Sequence, residues 1–392
     1  MLISGVILLR YDSQEGNKNM RKVLFLIHDL GQGGAEKVLV NLVNHMDYSK
    51  FDITVMTLFD CGENKQFLRP EITYKYWKRK MFPGNSHFMK LFNPEQLHKM
   101  IIKEKYDIEI AYLEGPCARV VSGCTNSEVR LVSWIHIEQK NEKAAVASFR
   151  SIREAKRCYG KFNEIISVSQ DVQKSFQNAL YLRVKNEVLY NTVNSEEIRQ
   201  RAKEKTETVI FKETEIKLVA VGKLLHNKGF DRLLRIIKHL LEEKYKVHLY
   251  ILGDGPMRTQ LEKYIADNHM EKYVELLGYQ LNPYKYMAKC DLFVCSSFAE
   301  GFSTATTEAL IVGVPVCTVE VSGMREMLGE NNEWGVVTKN EDEALYQSIK
   351  QLLDEPGLLQ HYKKQAEIRG KDFSTVKTVQ AVEKLLFRLC GE

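Results

Sequence analysis

The fold is decided near the beginning of the chain, where residues 22–46 read KVLFLIHDLGQGGAEKVLVNLVNHM. The apolar run at residues 23–28 is typical of a buried β-strand, and apolar residues then recur at helical spacing through residues 38–46. Glycines between the two elements let the backbone approach a phosphate, and the helix N-terminus presents unpaired N–H groups to it. The stretch predicts a strand–turn–helix unit with Gly33 and Gly34 as phosphate-binding candidates, and a plain tight turn is the alternative.

Apolar runs and amphipathic stretches alternate through the rest of the chain, as in parallel sheets covered by helices. The predicted strands lie at residues 23–28, 53–58, 108–113, 129–136 and 165–168, and then at 218–221, 247–252, 274–277, 292–295 and 314–319. The pattern breaks near residues 190–210. We therefore expect an α/β protein with two sheets of similar size.

The domain boundaries follow from this break. We expect one domain at residues 20–195, a second at 196–372, and a C-terminal helical segment at 373–392 that packs back on the first domain. Residues 1–19 lack the basic start and the cleavage site of a signal peptide. We interpret them as an upstream extension, with Met20 as the natural start.

The composition is that of an ordinary globular protein, with 44% hydrophobic and 27% charged residues. No apolar run reaches the roughly 18 residues that span a bilayer, so any membrane contact is expected to be peripheral. The eight cysteines form no C-x-x-C pair, which favours reduced thiols in a cytoplasmic protein over a zinc site. Residues 20–200 carry 27 Lys and Arg against 21 Asp and Glu, so this part is the candidate for meeting an anionic partner.

Two lysines follow the first strand of the second series, in Gly222-Lys223 and Lys228-Gly229. Ligands of open α/β sheets bind beyond the carboxyl ends of the strands, and two cations at that place suit a diphosphate. The alternative is that these lysines are solvated surface charges.

A third motif, EGFSTATTE, occupies residues 300–308 directly after a predicted strand. Backbone N–H groups near Gly301 at the start of a helix are suited to a phosphate. Glu300 and Glu308 flank that seat, where carboxylates accept hydrogen bonds from hydroxyl-rich groups. Two surface glutamates are the alternative.

Together the motifs resemble those of glycosyltransferase family 4. Residues 300–308 match its E-x7-E element, residues 31–36 its N-terminal glycine loop, and residues 222–229 its G-[RK]-x4-K-G element. Three further segments are similar to its G-x-G-P turn, its N-G-V-D segment and its G-x-x-E stretch: residues 253–256, 191–194 and 322–326. The matches run in family order over nearly the whole chain from residue 20.

The resemblance implies a GT-B fold, in which two Rossmann-like domains with parallel sheets face a central cleft. It also implies sugar transfer with retention of configuration from a nucleotide-sugar, with a UDP-sugar as the favoured co-substrate and with neither a metal nor another cofactor. No D-x-D motif, the usual seat of a metal–diphosphate complex, occurs in the sequence.

The resemblance also assigns roles at the matching positions. Lys223 and Lys228 would neutralise the leaving diphosphate, Glu300 would bind the donor sugar and Glu308 the ribose. The other implied donor-binding residues are Gly33, Gly34, Gly222, Gly301, Phe302, Ser303 and Thr304. Lys223 departs from the commoner arginine, and Ser303-Thr304 is more polar than the usual apolar pair.

Two residues of the first series complete the expected site. His136 ends a predicted strand and resembles the active-site histidine of the family, although a histidine at a strand end is otherwise more often structural. Glu114 follows another strand and is expected on the acceptor side of the cleft.

The segment YKYWKRKMF at residues 74–82 interleaves cations with aromatic side chains. Such a pattern favours an anionic membrane surface, and a charged edge strand is the alternative. The membrane candidates are Lys75, Trp77, Lys78, Arg79 and Lys80. With the family resemblance, this predicts a peripheral enzyme on the inner face of the plasma membrane.

The expected acceptor is a saccharide, preferably lipid-linked, in capsule or exopolysaccharide synthesis. The modest net charge and the lack of a nucleic-acid motif speak against nucleic-acid binding. Two other functions stay open at this point. One is a different GT-B enzyme, such as a nucleotide-sugar epimerase or a phosphorylase, and the other is a non-catalytic nucleotide-sugar-binding subunit.

Overall fold

The computed structural model describes residues 20–139, 141–206, 209 and 211–391. The proposed extension at residues 1–19 lies outside them. Within this part of the chain, seven strands form the first sheet: β1 (Arg21–Ile27), β2 (Phe51–Phe59), β3 (Thr73–Lys78), β4 (Ile108–Ala111), β5 (Arg130–Ile135), β6 (Glu164–Ser167) and β7 (Asn186–Val188). All pairs are parallel, in the order β3-β2-β1-β4-β5-β6-β7.

A second parallel sheet has six strands among the described residues: β8 (Ile216–Val221), β9 (Val247–Leu252), β10 (Val274–Gly278), β11 (Leu292–Cys295), β12 (Val316–Val319) and β13 (Val336–Thr338). Their order is β10-β9-β8-β11-β12-β13. We call the part from β1 to β7 the N-terminal half and the part from β8 to β13 the C-terminal half. Two parallel sheets in one chain confirm the predicted α/β class.

Helices connect the strands of both halves. Those of the N-terminal half are α1 (Gly34–His45), α2 (Asn85–Leu91), α3 (Pro94–Ile101), α4 (Pro116–Val121), α5 (Glu142–Ala145), α6 (Ile152–Tyr159) and α7 (Gln170–Leu180). The helix α8 (Ser195–Arg201) then leads into α9 (Phe230–Glu242), α10 (Arg258–Asp267), α11 (Tyr284–Met287), α12 (Thr304–Val312), α13 (Met324–Leu328), α14 (Asp342–Asp354), α15 (Pro356–Arg369) and α16 (Thr375–Leu389). Short 3-10 turns lie at Glu63–Phe67 and His226–Lys228.

The central strands are long apolar runs because helices cover both faces of a parallel sheet. The side chains from Val23 to Ile27 in β1 are fully buried, and all ten predicted strands form within a few residues of their expected bounds. Three strands lie outside the ten predicted ones, although a charged edge strand was the alternative given for the segment that forms β3. Of these, β7 and β13 have three residues each, too few for a periodic pattern, and β3 is a polar strand at the sheet edge.

The last helix, α16, returns to the N-terminal half. The Phe387 ring lies 5.0 Å from the Phe51 ring, and Nη2 of Arg388 donates to both oxygens of Glu164 at 2.8 and 2.9 Å. The carboxylate of Glu383 accepts the backbone N–H of Asp47 at 2.7 Å. The end of the chain thereby packs on the N-terminal half at the amino ends of β2 and β6.

The cysteines and the hydropathy of the helices bear on the class of protein. All eight cysteines are free thiols, so the structure contains no disulfide among them. None of the helices in the described ranges is long and apolar enough to cross a membrane.

Candidate active site

A cavity of about 680 Å³ lies between the two halves, beyond the carboxyl ends of β1, β5, β8 and β11. This volume lies within the usual range for small-molecule sites. Twelve of the predicted residues line it: Gly33, Gly34, His136, Gly222, Lys223, Lys228, Glu300, Gly301, Phe302, Ser303, Thr304 and Glu308. Residues separated by more than 270 positions in the sequence therefore meet at one place.

The glycine loop approaches the C-terminal half directly. A side chain at Gly34 would meet Oγ1 of Thr304 at 3.3 Å, and a side chain at Gly33 would collide with the carboxylate of Glu36. Burial raises the pKa of Glu36 to about 7, and the nearby Asp29 adds to this rise while Lys223 opposes it. The loop therefore carries a carboxyl group that changes charge near neutral pH.

Lys228 and Glu300 form a pair on the C-terminal wall. Nζ of Lys228 donates to Oε1 and Oε2 of Glu300 at 2.6 and 2.8 Å, and the Ser297 hydroxyl donates to Oε1 at 2.6 Å. Burial disfavours the charged lysine, but the Glu300 carboxylate outweighs it and raises the pKa of Lys228. The cation and the carboxylate thus neutralise each other.

Gly229 brings this wall close to its neighbours. Gly229 has φ of +64°, and a side chain there would collide with the carbonyl oxygen of Ser296. Because few residues other than glycine adopt this backbone conformation, the turn that carries Lys228 stays close to the end of β11. Lys223 is exposed at the mouth of the same cavity.

The start of α12 forms the floor between the two glutamates. Ser303 is its N-cap, and its Oγ accepts the backbone N–H of Thr306 at 3.3 Å. The carbonyl oxygens of Gly301 and Phe302 accept hydrogen bonds from Ser169 Oγ and Asn191 Nδ2, both at 3.1 Å. Partners from outside the C-terminal half therefore fix the backbone of this turn.

His136 faces the turn from the N-terminal half. Its carbonyl oxygen lies so close to Gly301 that a side chain there would collide with it. The side chain is buried, and Nε2 has no hydrogen-bond partner among the described residues. Burial lowers the pKa of His136 to about 3, so the imidazole is neutral at physiological pH.

Glu114 lies behind His136 and is not among the described residues that line the cavity. Its Oε2 accepts the backbone N–H of His136 at 3.0 Å, and burial raises the pKa of Glu114. This contact positions the histidine backbone and does not place the carboxylate on an acceptor.

Among the cavity residues that were missed from the sequence, two contact Glu308. Nζ of Lys37 lies 2.5 Å from Oε1 of Glu308 and 2.8 Å from the hydroxyl oxygen of Tyr284. The only signal for Lys37 in the sequence is its position, as the third residue after the last glycine of the loop. Tyr284 lies on a four-residue helix that carries no motif.

The predicted membrane segment forms the edge strand β3 and the turn after it, away from the cavity. Lys75 is paired with Glu104, whereas Lys78, Arg79 and Lys80 are exposed. Further apolar side chains are exposed at Met81, Phe88 and Leu91. The ring centres of Phe82 and Phe88 lie 5.6 Å apart. The turn after β3, which we call the basic turn because it carries Arg79 and Lys80, therefore forms one surface with α2.

Comparisons with known proteins agree with this arrangement. Residues 32–197 match the model of "Glycosyltransferase Family 4", and residues 201–369 match that of "Glycosyl transferases group 1". The solved structure of Anabaena Alr3699/HepE in complex with UDP-glucose superposes with a TM-score of 0.72 and 19% identity, over 94% of this chain and all of that one. At this identity the likeness shows the GT-B fold.

Two relatives come from Campylobacter jejuni. One is the N-acetylgalactosamine-N,N'-diacetylbacillosaminyl-diphospho-undecaprenol 4-alpha-N-acetylgalactosaminyltransferase, 30% identical over 386 residues that cover 94% of this chain and 100% of that protein. The other is a GalNAc-alpha-(1->4)-GalNAc-alpha-(1->3)-diNAcBac-PP-undecaprenol alpha-1,4-N-acetyl-D-galactosaminyltransferase, 26% identical over 90% of this chain and 95% of that protein. Full-length similarity, both family models and the predicted motifs agree: the chain is a glycosyltransferase of family 4, a retaining family that uses nucleotide-sugar donors.

Proposed function

We propose that this enzyme transfers a hexose or an N-acetylhexosamine from a UDP-sugar to a saccharide carried on undecaprenyl diphosphate, in the assembly of a bacterial surface glycan. The convergence of the twelve predicted residues at one cavity carries the donor part of the proposal. The acceptor part is supported by the names of the two Campylobacter relatives, both of which act on undecaprenol-linked saccharides.

The donor's diphosphate would lie at the start of α12, between Lys228 and Lys223. Two cations and the helix N-terminus there offset the charge that develops as the bond between the sugar's anomeric carbon and the diphosphate oxygen breaks. Lys228 would then exchange part of its contact with Glu300 for the diphosphate. Glu300 would accept hydrogen bonds from the sugar hydroxyls, and Glu308 from the ribose.

The acceptor hydroxyl would attack the anomeric carbon from the face that the diphosphate leaves, which retains the configuration. Its proton passes to an oxygen of the departing diphosphate, so the mechanism needs no protein nucleophile. His136 is neutral at physiological pH, and its Nε2 has no hydrogen-bond partner in the part of the chain that the structure describes. It would form a hydrogen bond with the donor sugar and not a charge contact with the phosphates.

The acceptor would be reached at a membrane surface. The exposed cations Lys78, Arg79 and Lys80 would meet anionic headgroups, and the apolar side chains of Met81, Phe88 and Leu91 would enter the interface beside them. This surface would hold the N-terminal half on the cytoplasmic leaflet as a peripheral protein. Lys75 and Trp77 would contribute less, since Lys75 is paired with Glu104 and Trp77 is partly buried.

A donor screen tests the proposal. Thermal shift and nucleotide release are measured with a panel of nucleotide sugars in EDTA, for wild type, for Glu308→Ala and for the matched surface variant Lys161→Ala. Lys161 lies outside the cavity lining and pairs with Glu95 at 3.3 Å. We expect a UDP-sugar to stabilise wild type and Lys161→Ala but not Glu308→Ala.

Adding an undecaprenyl-diphosphate-linked saccharide should raise nucleotide release, and the same saccharide without its lipid should be a poorer substrate. A response only to other nucleotides, or release that ignores the acceptor, would contradict the proposal.

A further inference from the structure

Lys37 connects the two halves at the cavity. It belongs to α1 of the N-terminal half, while its two partners, Tyr284 and Glu308, belong to α11 and α12 of the C-terminal half. The Tyr284 hydroxyl also donates to Oε1 of Glu308, at 3.3 Å. A lysine, a tyrosine and a glutamate thus form a closed triangle across the cleft.

The triangle orients the glutamate. Both hydrogen bonds to Glu308 end on Oε1, and in the part of the chain that the structure describes Oε2 accepts none. The Glu308 side chain is only 4% exposed, and a buried carboxylate is costly unless its charge is compensated. Lys37 provides that compensation and at the same time leaves Oε2 for a further donor.

Two cations contact Tyr284. Nζ of Lys37 meets it at the hydroxyl oxygen, and the Arg201 guanidinium lies 6.0 Å from the centre of its ring. Arg201, Lys37 and Tyr284 all line the cavity. The position of Glu308 therefore depends on groups from both halves and from the segment between them.

We propose that Lys37 is a positioning residue that holds Oε1 of Glu308 so that Oε2 meets the ribose of the donor. This inference rests on the proposed function. Because Lys37 comes from the opposite half, the ribose is bound firmly only when the two halves are together. Lys37 thereby links occupancy of the donor site to the geometry of the cleft.

The experiment measures binding of UDP and of 2′,3′-dideoxy-UDP by calorimetry to wild type, Lys37→Met, Lys37→Arg and Lys161→Met. A charge-assisted network of this kind supports a preference for UDP of at least about tenfold in wild type. We expect Lys37→Met to lose most of that preference, Lys37→Arg to keep part of it and Lys161→Met to keep all of it. Circular dichroism and thermal unfolding of each variant check that it is folded.

A double-mutant cycle separates action through Glu308 from action elsewhere. In a Glu308→Ala background the ribose preference should be absent, and adding Lys37→Met should change UDP affinity by less than about twofold. Equal weakening of UDP and its dideoxy analogue by Lys37→Met would overturn the inference, since Lys37 would then act on the diphosphate. Tighter UDP binding would also overturn it, because Lys37 would then be a competitor for the site. Absence of UDP binding to wild type would overturn the proposed function together with this inference.

Discussion

The Nζ atom of Lys228 donates to both carboxylate oxygens of Glu300, at 2.6 and 2.8 Å, so the cation proposed for the diphosphate has a carboxylate partner within the protein. The pair keeps a buried charge from standing alone, which would be costly. It also means that the donor must displace or share an existing contact. Loss of either partner is therefore expected to affect more than one step.

Lys228→Met should lower kcat/KM by about a hundredfold, since one contact to a developing charge is removed and Glu300 is left without its cation. Lys228→Arg should recover part of the loss, because the charge is retained although its geometry differs. Steady-state kinetics with the donor found in the screen provides the measurement. Full activity of Lys228→Met would show that the diphosphate lies elsewhere.

His136 should reduce stability in acid. Its pKa is lowered to about 3 in the folded protein, whereas an unfolded histidine takes up a proton below about pH 6.5. As the pH falls from 6.5 towards 3, the unfolded state is therefore favoured, by about 2 kcal/mol at pH 5 from this residue. His136→Gln should show a smaller loss of free energy of unfolding between pH 7 and pH 5 in urea titrations. An unchanged pH dependence would show that the imidazole is protonated in the folded state.

Glu36 should make donor binding depend on pH near neutrality. Its pKa is raised to about 7 in the folded protein, so the loop gains a negative charge as the pH rises through 7, close to Lys223. We expect a nucleotide-sugar to bind more weakly at pH 8 than at pH 6, because the new charge repels the diphosphate. Glu36→Gln should remove this difference in calorimetric titrations. The free energy of unfolding should also fall as the pH rises. Because folding raises the pKa of this carboxyl group, its contribution is lost between about pH 4.5 and about pH 7.

Gly301 should tolerate no side chain. A methyl group there would collide with the carbonyl oxygen of His136, and overpacking of this kind costs about 1–3 kcal/mol. Gly301→Ala should weaken donor binding and lower the melting temperature, because the turn and His136 must move apart. Gly357→Ala is the matched control, since its added methyl group has no atom of the described residues within 4 Å apart from its chain neighbours and its own helix backbone. Equal behaviour of the two variants would contradict the close approach of the two halves.

The basic turn and α2 should govern membrane binding. Replacing Lys78, Arg79 and Lys80 by alanine removes about 1 kcal/mol per cation, which predicts on the order of a hundredfold weaker binding to anionic vesicles. Leu91→Ser should weaken binding at high salt as well, since the apolar contribution is not screened. Co-sedimentation with vesicles that contain anionic lipid measures both effects, and activity on a soluble acceptor provides the control. Vesicle binding that survives all four changes would place the membrane contact on another surface.

Much of this protein is determined locally by its sequence. The apolar runs of β1, β8, β9 and β11 need burial on both faces, so they specify parallel strands, and the glycine turns after β1 and β8 specify where a ligand can approach. The glutamates at both ends of residues 300–308 are recognisable because a fixed spacing on one turn and one helix holds them. These features depend on neighbours within about ten residues, and a linear pattern records them.

Other features exist only in three dimensions. The pairing of Lys37 with Glu308 joins residues 271 positions apart, and nothing in the spacing around either residue indicates the other. The neutral state of His136 and the raised pKa of Glu36 arise from burial that several segments create together. Glu114 follows a strand as predicted, but the packing of β5 beside β4 turns its carboxylate to the His136 backbone. Contacts, burial and charge states of this kind depend on how the two halves meet, and that is a property of the tertiary structure.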